Sequence, residues 1–163
     1  MHEESLGFQQ FEGVPDVGVI VPSCFENPLK EQSVNFVHDV LLGRRKALLP
    51  VSAIIGAYHI VTSYLGASRV SVKGVLSELL KTRSGALYHE ISTDLASIAL
   101  DYAAARRIES WDGYLVALAR KFDANLLFSM DEELGDTLDG EGLIVVNPFA
   151  ADKVRQYHKF LEG

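Results

Sequence analysis

The sequence predicts an α/β protein built around a parallel sheet, and three observations carry that prediction. Ala47-Leu48-Leu49, Leu126-Leu127-Phe128-Ser129-Met130 and Leu143-Ile144-Val145-Val146 are short apolar runs that read as strands buried on both faces. Between them lie longer segments whose apolar residues recur at helical spacing. The passage from helix to strand is tight, as at Asp123-Ala124-Asn125, which is half of a β/α crossover unit.

The chain has 163 residues, and residues 1–163 read as one domain, long enough for a sizeable single core. Hydrophobic residues make up 48% and charged residues 23%, which excludes a disordered chain. The net charge of −7 argues against a general nucleic-acid binder, which shows a basic surplus. It leaves room for an enzyme that gathers acids around a metal. The single cysteine, Cys24, rules out an intrachain disulfide and a thiolate zinc cage. A reducing, cytoplasmic setting is the expectation. The acidic Met1-His2-Glu3-Glu4 start does not resemble a signal peptide. Residues 47–67 carry no Asp, Glu, Lys or Arg and approach membrane-span length. Pro50, Gly56 and Gly66, with several polar residues, interrupt that run, so a strand followed by a buried helix is expected and no membrane partner.

In chain order, residues 1–7 read as a polar start and 8–14 as a strand of mixed polarity, stopped by Pro15. Residues 17–21 are strand or first helix, since so short a run has no decisive period. Residues 22–28, with two prolines, form a loop. A helix spans 29–42, closed by Gly43 and the basic Arg44-Arg45-Lys46. After the strand at 47–49, Pro50 opens a helix that runs to about Leu65. A linker follows at 66–71, then a helix on Val72, Val75, Leu76, Leu79 and Leu80. Residues 87–91 form a strand, and Thr93 caps a helix over 94–106 with Leu95, Ile98, Ala99, Tyr102 and Ala103 inward. Trp111, Leu115, Leu118 and Phe122 form the apolar stripe of the next helix, with Ser110 as its cap. Trp111 and Tyr114 could stack a base, but core packing is the expected use of Trp111, which belongs to the apolar stripe. Residues 132–142 hold a short helical turn and a loop, and 151–161 form the closing helix.

This order gives three aspartates a common placement. Asp16 lies just past the first strand, Asp131 directly follows the strand at 126–130, and Asp112 opens a helix antiparallel to its neighbouring strand. In open parallel sheets ligands gather at the carboxyl ends of the strands, where such helices also start. Three converging carboxylates repel unless a cation joins them, and hard oxygen donors suit Mg²⁺ or Mn²⁺. Each Asp is also an ordinary cap or turn residue when taken alone.

Ser110-Trp111-Asp112 leading an apolar helix, then Leu126 to Asp131, with Val14-Pro15-Asp16 at the opening, resemble the PIN-domain proteins. These are metal-dependent nucleases that include the toxins of the VapBC type. The resemblance covers nearly the whole chain and rests on order and spacing. It implies a three-layer α/β/α sandwich and a divalent-metal-dependent ribonuclease with Asp16, Asp112 and Asp131 as catalytic metal ligands. Ser129, two before the last acid, matches the family's hydroxyl and would serve the substrate side. A small antitoxin and a homodimer are the implied partners besides RNA.

The chain departs from the family on the helix after its second strand. There Gly56 or Tyr58 stands where the family carries a glutamate, and Val17-Gly18 replace polar residues after the first aspartate. Glu109, one turn before Asp112, is a candidate replacement ligand, or a solvated charge beside Arg106 and Arg107. His59 is a further candidate, although such a histidine is more often a core residue. Arg44, Arg45 and Lys46, then Lys81 and Arg83, then Arg106 and Arg107 are candidates for gripping RNA. The depleted acid set raises an alternative: a PIN fold that no longer cuts and serves as an RNA- or protein-binding module.

Overall fold

The structure is a computed structural model and describes residues 10–163; the expected polar start, and the first two residues of the expected first strand, lie outside the described residues. The elements in order are β1 (Gly13–Pro15), α1 (Val17–Ile20), a 3₁₀ turn (Val21–Cys24), α2 (Lys30–Leu41), β2 (Leu49–Pro50), α3 (Val51–His59), a π turn (Ile60–Tyr64) and α4 (Arg69–Lys81). Then come β3 (Leu87–Tyr88), α5 (Thr93–Arg106), α6 (Ser110–Lys121), β4 (Leu126–Phe128), α7 (Glu132–Thr137), β5 (Ile144–Val146) and α8 (Ala151–Glu162). The fold is α/β, and every strand pair in it is parallel.

One sheet has the order β1-β4-β5, and β2 pairs with β3. A single bridge between Gly13 and Ala47 joins them, with the Leu48 N–H donating to Gly13 O at 2.9 Å. Prolines thin this seam. Pro15 ends β1 and Pro50 ends β2, and neither has an N–H to extend a ladder. Gly13 serves the other side of β1: a Cβ there would stand 2.6 Å from the Phe128 ring and 2.9 Å from Leu126 O. The close β1–β4 approach therefore requires glycine.

Alternate strand residues join two different apolar clusters, as the period of a strand demands. Val14, Leu48 and Leu127 pack with Leu95, Ala99, Leu115, Leu118 and Leu134, from α5, α6 and α7. Leu49 and Phe128 pack with Val19, Phe36, Val40, Ile54, Val72 and Tyr157, from the remaining helices. Leu118 and Leu127 are fully buried, and each such side chain contributes about 1.5–3 kcal/mol.

The expected elements shift at their ends. Residues 17–21 are helical, and Val21 to Cys24 tighten into a 3₁₀ turn inside the expected loop. The expected strands at 8–14, 87–91 and 126–130 shorten to Gly13–Pro15, Leu87–Tyr88 and Leu126–Phe128. Ser92 rather than Thr93 caps α5, accepting from Leu95 N–H at 3.1 Å, and Ser110 is the first helical residue of α6, not its cap. Helix α6 is buried continuously from Gly113 to Ala119 because α5 covers the face turned away from the sheet. Gly113 permits that contact, since a Cβ there would meet Ala99 O at 2.2 Å. Trp111 does not join the core and is 39% exposed. Among the described residues no helix is long and apolar enough to cross a membrane.

Candidate functional site

The carboxyl ends of β1 and β4 fix two of the three aspartates. The Asp16 N–H donates to Phe128 O at 2.8 Å, extending the β1–β4 ladder one residue beyond Pro15. Asp16 then stands at the N-cap position of α1 without making a side-chain capping bond. Ser129, 2% exposed, follows β4 and donates its own N–H to Val146 O at 3.0 Å. Its hydroxyl donates to Asp16 Oδ2 at 3.2 Å and accepts from the Asp131 N–H at 3.0 Å. One buried hydroxyl thus ties the first acid to the last.

Asp131 caps α7, its Oδ1 accepting from the N–H groups of Glu133 at 3.0 Å and Leu134 at 3.3 Å. Asp112 lies in the first turn of α6. All three aspartates line one cavity of about 410 Å³, together with Glu109, Arg107 and Trp111. The sequence placed them on one edge of the sheet, and the structure brings them to one wall.

Their electrostatics show the crowding. Burial pushes the Asp112 carboxyl up to about 6, helped by the charges of Asp16, Glu109 and Asp131. Burial also raises Asp16, and Asp131 adds to it; the Ser129 hydroxyl and the N–H groups of Val17 and Gly18 hold it down. Those two N–H groups favour the charged form from nearby, without the geometry of a capping hydrogen bond. The acids therefore share a cavity in which each new negative charge costs free energy, and a cation would relieve that cost.

In kind, the donors fit a hard divalent ion. Among the described residues no three His, Cys, Asp or Glu side chains form a ready-made cage. That arrangement still suits Mg²⁺, which keeps several waters and is held by one or two carboxylates.

Other candidates lie elsewhere. Arg44 and Arg45 are not at this site. They precede β2, at the edge where strands begin, whereas the acids follow strand ends. Arg44 faces Asp39 at 3.8 Å, and the Arg45 guanidinium stacks over the rings of Phe36 and Phe128 at 5.0 and 5.3 Å. Arg106 pairs with Glu141, which also takes Arg120 at 3.0 Å, and Lys81 pairs with Glu78 at 2.9 Å. His59 is exposed against Tyr64, with ring centroids 5.4 Å apart, and does not line the cavity.

Gly56 is the family-departure position that abuts the site. A Cβ there would lie 3.5 Å from both Trp111 Nε1 and Val17 Cγ2, so its neighbours are the cavity wall rather than an aspartate. Tyr58 packs against the core instead. Glu133 and Ile60 also line the cavity, and sequence reasoning passed over both. The acid run following Asp131 was the available signal for Glu133. Arg107 reaches the cavity from a left-handed turn, φ 56° and ψ 40°, at the end of α5. No protein-family model matches the chain, and no curated protein sequence matches it.

Proposed function

We propose that the chain is a PIN-like domain, a three-layer α/β/α sandwich that hydrolyses RNA phosphodiesters with Mg²⁺ or Mn²⁺. The observation that carries this reading is that Asp16, Asp112 and Asp131, from three separate elements, line one cavity, with Asp112 raised to about 6 by burial and by its acidic neighbours. An isolated cap aspartate has no reason to show that coupling.

One or two of Asp16, Asp112 and Asp131 would hold the ion directly and the rest through its waters, with Glu109 beside them. A bound divalent ion supplies an activated water and neutralises charge developing on the phosphoryl oxygens. The residues of the chain do the rest. Ser129 fixes Asp16 against Asp131 through its two hydrogen bonds. Arg107 is the one basic residue among the described residues lining the cavity, and it offers a fork of donors to phosphate. The family reading extends to a cytoplasmic toxin held by a small antitoxin, and to a homodimer.

A second reading has one observation in its favour. Gly56 leaves the helix beside the site without an acid, as in a domain that binds RNA or protein without cutting. Incubating a structured RNA panel with Mn²⁺, beside Asp112→Asn and a chelator control, separates the two. Cation-dependent cleavage abolished by Asp112→Asn supports the nuclease. Binding without cleavage by the parent protein moves the assignment to the module, and cleavage that survives the chelator removes the metal-dependent reading.

A further inference from the structure

We propose that Trp111 is a stacking platform for an unpaired nucleobase at the mouth of the acidic cavity, an inference that rests on the ribonuclease reading of that cavity. Trp111 is 39% exposed, although Gly113 to Ala119 behind it on α6 are all buried. The chain could have buried this ring in the core and does not. The indole lies over Gly56, its Nε1 3.5 Å from where a Cβ would stand, and beside Tyr114 at 5.9 Å between centroids with 37° between planes. It is therefore supported from behind while part of the ring stays open.

That open part shares the cavity with Asp16, Asp112, Asp131 and Arg107. A phosphate drawn to Arg107 and to an ion on the acids would carry its nucleoside into a space of about 410 Å³, within the 300–1,000 Å³ range of small-ligand sites. An aromatic ring holds any base by its π-face, so little base preference is expected. A paired base is already stacked within its helix, so single strands should be favoured over duplex.

Trp111 is the only tryptophan in the chain, so intrinsic fluorescence reports on it alone. The experiment titrates the protein in Ca²⁺ with a short single-stranded RNA, a duplex of the same sequence and an abasic ribose-phosphate oligomer of equal length. Binding is read separately by anisotropy of end-labelled RNA. The expected result is quenching by the single strand and affinity lower by roughly five- to 150-fold for the abasic oligomer, the range that base–aromatic stacking supplies. Trp111→Leu should lose a similar factor, and Trp111→Phe should recover most of it. RNA binding with unchanged emission, or equal affinity for the abasic oligomer, overturns the stacking role and leaves the ribonuclease reading standing. Absence of RNA binding by anisotropy removes both.

Discussion

Replacing Asp112 by Asn should make the cation-free protein more stable at pH 8 and leave it nearly unchanged near pH 4. Asp112 is raised from 3.8 to about 6 in the folded chain. When both states are protonated, at pH below about 3, the group contributes no difference, and near pH 4 the difference is still small. As pH rises toward 7 the unfolded chain releases its proton first, so the folded state loses stability across that window. Two units at 1.36 kcal/mol each give an upper limit of about 3 kcal/mol, and solvent screening of this half-buried group brings the figure nearer ~1–2 kcal/mol. Asparagine keeps the shape and cannot ionise. Urea unfolding of both proteins from pH 4 to 8, with chelator present, gives the difference directly. A gap that grows with pH to ~1–2 kcal/mol is expected. A gap independent of pH, or a variant less stable at pH 8, would refute the crowding of charges from which the site was argued. Millimolar Mn²⁺ should then favour the parent, because an ion bound only to the native state adds stability by mass action.

Three further outcomes test neighbouring parts of the site. Ser129→Ala removes both hydrogen bonds made by a buried hydroxyl, which should cost about 1–3 kcal/mol and move the Asp16 titration further up; urea melts and a carboxyl NMR titration check this, and no change in either refutes it. Arg107→Gly relieves a left-handed φ of 56° that costs a side chain roughly 1–2 kcal/mol, so stability should rise by about 1 kcal/mol while RNA affinity falls; a drop in stability speaks against the strain. Gly56→Glu adds a carboxylate whose Cβ meets Trp111 and Val17 at ordinary contact distance. It should lower cation-free stability and tighten Mn²⁺ binding by calorimetry, and equal or weaker affinity ends the family alignment of that helix.

The aspartates were legible in the sequence because their positions follow from topology. A residue after a parallel strand, and one opening an antiparallel helix, fall on the same edge whatever side chains lie between them. The strand positions were equally legible, since continuous apolar runs leave few other burials. Strand ends were not, because the pairing partner sets them: β1 pairs with β4 over Gly13–Pro15, and the chain then turns at Asp16 into α1. Trp111 was misplaced because helical spacing reports which residues share a face, not where a face runs out of neighbours. At the first turn of α6 that face lies against Gly56 and Tyr114 and is partly open to solvent. Arg44 and Arg45 fall outside the acidic cavity for a related reason. Basic residues after a helix that leads into a strand lie at the strand's beginning, whereas the acids follow strand ends.

Four departures from local rules share one cavity, although the left-handed backbone also recurs at Arg83 and Asp123 elsewhere. Arg107 adopts the left-handed turn that glycine usually takes at a helix end. Helix α3 widens into a π turn at Ile60, a feature common at functional sites. Trp111 stays in solvent, and Asp112 carries a proton affinity far from its ordinary value. All four residues line the same cavity. Another cavity, of about 500 Å³ beside Arg45 and Lys46, shows a different character. There Gly43 takes its left-handed φ of 74° at the end of α2 without strain, and Arg45 lies satisfied over two rings. Backbone strain and charge repulsion persist where the surrounding fold over-determines them, and selection for stability alone would remove them. A glycine at 107 and an amide at 112 would be the stable choices. On the proposed reading, Arg107 and Asp112 stand at this wall to bind charge rather than to hold the fold together.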